Sequence, residues 1–109
     1  MSIKHFSDQE RDEIMDKIIE NWGGDSQKLM AIEEMAELTQ ALSKTWRDLD
    51  DPEKVEKNRM DVCGEIADVL ITVGQMRRMF GAEEVDKMID FKLRRGSDRL
   101  GKWLKENSK

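Results

Sequence analysis

Residues 25–47 read DSQKLMAIEEMAELTQALSKTWR, and the spacing within this run sets the architecture. On a wheel of about 100° per residue with Glu33 at zero, Met30, Ala31, Met35, Leu38, Ala41 and Leu42 fall between about 60° and 200°. That periodicity predicts an amphipathic helix, with Asp25 or Ser26 as its cap. Glu34 falls at about 100°, in the middle of the apolar arc, while Glu37 lies at its edge and Glu33 just outside. A lone carboxylate in an apolar seam is costly, so Glu34 calls for a cation or a proton.

The same punctuation extends in both directions. Ser7 followed by Glu10 is a capping box that opens a first helix at Asp8. Ile14, Ile18 and Trp22, with Ile19 beside them, make its apolar stripe, which favours helix packing for Trp22. Gly23-Gly24 ends that helix. Downstream, Asp51 and Pro52 form the N-cap and first position of a third helix that stops at Gly81. A fourth runs from Ala82 toward Asn107, with Gly96 as its expected point of interruption. There is no strand alternation and no repeat. The expected fold is all-α, four-helix bundle-like, with residues 1–109 as one domain. Phe80, Phe91 and the eight Met are expected as core filling, and Cys63 as a small buried hydrophobe. Two helices are long for a 12.7 kDa chain, so part of their apolar surface is expected to pack against another copy.

The third helix supplies matching acids. With Glu65 at zero, Val62, Ile66, Val69, Leu70, Val73, Met76 and Phe80 span about 20° to 140°. Glu65 borders this arc and Asp68 lies about 60° beyond it. Glu65 and Asp68 stand three apart and can converge above their helix, as can Glu34 and Glu37 above theirs. If these helices are antiparallel neighbours, the two pairs meet, and four facing carboxylates repel unless a metal is bound. Oxygen ligands favour Mg²⁺, with Mn²⁺ as a substitute. A di-iron site would want Glu-x-x-His pairs, and the single histidine, His5, lies outside any helix pairing.

The charge balance narrows the partners. The net charge is −5, but residues 87–109 carry eight basic and three acidic side chains. An acidic body opposes a nucleic-acid polymer and an anionic membrane. No apolar run reaches the roughly 20 residues of a membrane span, and the first residues lack a signal-peptide pattern. One cysteine suits a reducing compartment, so a cytoplasmic location is expected. On the last helix Lys92, Arg95 and Arg99 share a face within about 60°, where they could bind a polyphosphate. Trp22, Gln27, Trp46 and Asn58 are the candidates for stacking on or hydrogen bonding to a base, with Trp22 favoured for helix packing by its stripe.

Glu33-Glu34-Met35-Ala36-Glu37 is EExxE, and Glu65-Ile66-Ala67-Asp68 is ExxD, followed by Lys92-x-x-Arg95-x-x-x-Arg99. In this order the motifs resemble the MazG-like nucleoside triphosphate pyrophosphohydrolases of the all-α NTP pyrophosphatase superfamily. The resemblance covers residues 22–99. It implies Mg²⁺-dependent cleavage of (deoxy)nucleoside triphosphates to monophosphate and pyrophosphate, in nucleotide-pool housecleaning or regulation, by a homo-oligomer (dimer or tetramer). It also implies metal ligation by Glu34, Glu37, Glu65 and Asp68. Glu33 would be an extra ligand or a group that positions the attacking water, and Lys92, Arg95 and Arg99 would neutralise the phosphates. The rival expectation is a non-catalytic helical module that dimerises and regulates.

Overall fold

The computed structural model describes residues 5–108, and among them it contains α-helices and no strand. The helices are α1 (Asp8–Trp22), α2 (Gly24–Arg47), α3 (Pro52–Phe80) and α4 (Ala82–Glu106). No helix among the described residues is long and apolar enough to cross a membrane. The chain divides into two compact units, Met1–Met79 and Phe80–Lys109.

Each boundary in the first unit has a local cause. Ser7 Oγ accepts from Glu10 N at 3.1 Å, and Ser7 N donates to Glu10 Oε1 at 3.0 Å, so both arms of the capping box are made. Gly23 serves two helices at once. Its N–H donates to Ile19 O at the end of α1, and its carbonyl accepts from Gln27 N at the start of α2. This one-residue joint needs φ of +86°, which glycine adopts without the usual steric cost. Gly24 lies close under Met79, whose terminal methyl a Cβ at this position would meet at 2.7 Å and push aside. The expected caps Asp25 and Ser26 instead lie inside the first turn of α2, because Gly23 already terminates the ladder.

Asp51 Oδ1 accepts from Glu53 N at 3.1 Å, and Pro52 is the first residue of α3, as expected. The α2–α3 corner is braced by Asn58, whose Nδ2 donates to Lys44 O at 3.4 Å and to Asp48 Oδ2 at 3.1 Å. Arg47 also pairs with Asp48, and these donors hold the Asp48 carboxyl below its ordinary range. The short turn makes α2 and α3 antiparallel. Arg78 ties α3 to α1 by pairing with Asp12 and with Asp16, the latter at 3.1 Å.

The core differs from the sequence expectation. The buried apolar residues are Ala31 and Ala41 alone among those described, joined by the polar Gln27, Asn58, Thr72 and Gln75. Met30, Met35, Leu42, Ile66, Leu70 and Val73, all on the arcs expected to be core, are exposed in the single chain. Phe80, Phe91 and Trp22 are exposed as well, and so is Cys63. Antiparallel packing buries only the small and polar residues along the α2–α3 seam. It leaves the larger side chains on either flank uncovered.

In the second unit α4 starts from Gly81, whose φ is +134°, and passes through Gly96 without interruption. Glycine lowers helix propensity by only about 1 kcal/mol, too little to break a ladder made on both sides of it. Lys92, Arg95 and Arg99 are therefore exposed on one continuous helix. The Arg95 guanidinium lies 6.0 Å from the Phe91 ring centre.

Candidate metal centre

The antiparallel register of α2 and α3 brings the acids together. Asn58 contacts the Lys44 carbonyl at the corner, and the same register sets Glu37 against Glu65 and Glu34 against Asp68. Carboxylate oxygens of Glu34, Glu37 and Glu65 all lie within 4.8 Å of one another. Oxygens on opposite sides of a Mg²⁺ ion stand about 4.2 Å apart, so modest side-chain rotation would close this group on a hard cation. Asp68 stands beside the trio and raises the pKa of both Glu34 and Glu65.

The electrostatics are those of uncompensated charge. Burial, then Glu37, Asp68 and Glu65, push the Glu34 carboxyl above its ordinary range. Burial, then Glu37 and Asp68, do the same for Glu65. Both side chains are half-buried, and each has an Oε2 atom that is shielded from solvent and has no hydrogen-bond partner. A buried acceptor without a donor is expensive. The donor set is entirely oxygen and carries negative charge, so a divalent hard cation fits it on both counts.

Two cavities flank the acids. One, of about 480 Å³, is lined by Glu37, Glu65 and Asp68 together with Lys44 and Asp61. The other, of about 260 Å³, is lined by Glu34 and Asp68 at one end and by Trp22, Gln27 and Gln75 among others. Asp68 faces both.

The remaining expected site residues separate. Glu33 is exposed and lies outside the trio, because one residue turns it away from the seam. Gln27 lines the smaller cavity. Asn58 lines the larger one, but its carboxamide is committed to the corner. Trp46 is exposed near the end of α2 and lines neither of the two cavities. Lys92, Arg95 and Arg99 belong to the second unit. Trp22, a stacking candidate that its stripe assigned first to helix packing, lines the smaller cavity, and sequence reasoning missed Gln75 there. Gln75 lies seven residues after Asp68, on the same face of α3, and that spacing could have revealed it. Comparison of the chain with protein-family models, with curated proteins and with solved structures returned no match.

Proposed function

We propose that this chain is a divalent-metal-dependent nucleoside triphosphate pyrophosphohydrolase of the MazG-like kind. The carrying observation is the convergence of Glu34, Glu37 and Glu65, where burial and the neighbouring acids push Glu34 and Glu65 above their ordinary range. A triphosphate is itself strongly anionic and cannot approach bare carboxylates without a cation between them. A bound Mg²⁺ would supply the positive charge that a triphosphate needs there and would lower the pKa of water toward neutrality. Glu34, Glu37, Glu65 and Asp68 would hold it.

In the net reaction, water adds to phosphorus and the α–β anhydride bond breaks. The bonding pair leaves on a phosphate oxygen, giving the monophosphate and pyrophosphate. Lys92, Arg95 and Arg99 would offset the negative charge of the phosphates. The exposed apolar side chains on α2 and α3 call for cover, and a second copy of the chain is the proposed source. Those same faces favour one other reading, a dimerising regulatory module without catalysis.

The deciding experiment incubates the pure protein with Mg²⁺ and each common NTP and dNTP, with dUTP and oxidised analogues added. Release of pyrophosphate from at least one substrate is expected. Its absence from all of them at micromolar protein would sink the catalytic reading and leave the module.

A further inference from the structure

We infer that Lys44 reads the last phosphate of the substrate and so sets a preference for nucleoside triphosphates over diphosphates. This rests on the metal-dependent triphosphate reading of the acids and adds to it a residue of the same unit. On α2, Glu37, Gln40 and Lys44 follow one another at i, i+3 and i+7, which places them within about 60° on one face. All three line the larger cavity, of about 480 Å³, with Glu65 and Asp68 on its α3 side. Lys44 is the one cation among the described residues that line either cavity beside the acids.

The Lys44 charge is unspent. Other cations near this corner each pair with an acid: Arg47 with Asp48, Lys54 with Asp51, Lys57 with Asp61 and Arg59 with Glu56. Among the described residues the Lys44 ammonium has no ion pair, although acids line the same cavity. Seven residues of helix rise by about 10.5 Å, so Lys44 stands two turns from Glu37 along the cavity wall. With the α-phosphate at the acids, a phosphate chain running toward Lys44 meets it with its last member. A diphosphate is one phosphate shorter and leaves the ammonium without a partner. The facing wall admits the chain. Gly64 carries no side chain there, and a Cβ at that position would meet nothing within 4 Å. Asp61 on the same wall is paired with Lys57 at 2.8 Å, which reduces its repulsion of an incoming phosphate. An ammonium on a flexible stem, with its donors free to rotate, suits a terminal phosphate.

Two measurements test this. The first takes a triphosphate that the wild type hydrolyses with Mg²⁺ and uses the corresponding diphosphate as a competing ligand. Lys44→Gln should lower kcat/KM for the triphosphate by about tenfold or more, chiefly through KM, because the last phosphate carries its charge in ground and transition states alike. The inhibition constant of the diphosphate should stay within a few-fold. Lys44→Arg should keep most of the preference, and Lys54→Gln, whose cation is paired outside the cavity, should keep all of it. The second measurement is calorimetric and needs no turnover. Inorganic pyrophosphate should bind Mg²⁺-saturated Lys44→Gln about tenfold more weakly than the wild type. Mg²⁺ alone should bind the variant at least as tightly, because a cation near the acids has been removed. A misfolded variant would instead lose both. Equal losses for triphosphate and diphosphate, or an unchanged pyrophosphate affinity, would overturn the assignment of Lys44 and leave the catalytic reading standing. Hydrolysis of no triphosphate, together with a pyrophosphate affinity that depends on Lys44, would overturn the catalytic reading and leave the phosphate contact.

Discussion

Two places in the first unit gather acids across a pair of helices, and they handle the charge in opposite ways. At the α1–α3 contact, Asp12 and Asp16 stand one turn apart and share Arg78, whose side chain is 18% exposed. Along the α2–α3 seam, Glu34 and Glu37 stand three apart and face Glu65 and Asp68, and burial together with the neighbouring acids pushes Glu34 and Glu65 above their ordinary range. The first cluster is closed: the chain supplies its own cation, and the product is a tie between helices. The second is open to an external cation. Acid spacing alone does not separate the two; the identity of the facing residue does.

The comparison breaks most visibly in catalysis. Replacing Glu34 by Gln keeps the side-chain shape and removes the charge, so pyrophosphate release should fall by at least about 100-fold, as expected for loss of a metal-binding or charge-stabilising group. Asp16→Asn, in the closed cluster, should keep activity within a few-fold of wild type. Rates measured side by side, with helical circular dichroism as the folding control, check both. Equal losses would mean that the two clusters do not differ in kind.

Metal linkage is the next largest effect. A ligand that binds only the folded state raises its stability in proportion to the logarithm of ligand concentration over Kd. Millimolar Mg²⁺ or Mn²⁺ should therefore raise the melting temperature of the wild type by several degrees. It should leave Glu34→Gln and Glu65→Gln nearly unmoved, and Asp12→Asn should respond like the wild type. Thermal melts with and without metal read this directly, and no shift in the wild type would favour the non-catalytic module.

The closed cluster has its own weak point. Arg78→Met retains much of the side chain's apolar length but removes the cation that Asp12 and Asp16 share. Both aspartates are largely exposed, which screens the pairing, so the loss should be about 1 kcal/mol. For a small domain that lowers the melting temperature by about 4–8 °C. The Mg²⁺-induced rise should survive in this variant, because the open cluster is untouched.

The sequence showed the parts of this molecule that depend on neighbours along the chain. Ser7 and Glu10, Asp51 and Pro52, and Gly81 end or begin helices through contacts a few residues long, and the structure has them as expected. Glu34 was legible because a charge amid Met30, Leu38 and Ala41 violates the helix period. What escaped depends on helix–helix geometry. Nothing local says that Arg78 reaches back to Asp12, or that Asn58 is consumed by the α2–α3 corner. Trp22 extends an apolar stripe that favours packing, and of its two readings the cavity-lining one is what the fold shows. Cys63 and the flanking Met, Ile and Leu residues were expected to be buried because a wheel assigns a face but not a partner. Those side chains are exposed in the single chain.

The smallest expected effect follows from the raised carboxyls of the open cluster. Glu34 and Glu65 bind protons more tightly in the folded than in the unfolded chain. Between the ordinary carboxylate range and their raised values, the folded state holds more protons, so stability falls as pH rises through that window. Below it, both states are protonated and the penalty disappears. Metal-free wild type should thus melt at a higher temperature in mildly acidic buffer than at neutral pH, by a small margin. Because metal binds the deprotonated carboxylates, saturating Mg²⁺ should flatten this slope. Glu34→Gln should reduce it without metal and raise the neutral-pH melting temperature. Asp48, held below its ordinary range by Arg47 and Asn58, opposes the trend, since its contribution is lost only as pH falls toward that lower value. Melts of wild type, Glu34→Gln and Asp48→Asn across this range resolve the two signs. A wild-type slope unchanged in Glu34→Gln would locate the titration outside the open cluster and weaken the case that its acids are held together against their own repulsion.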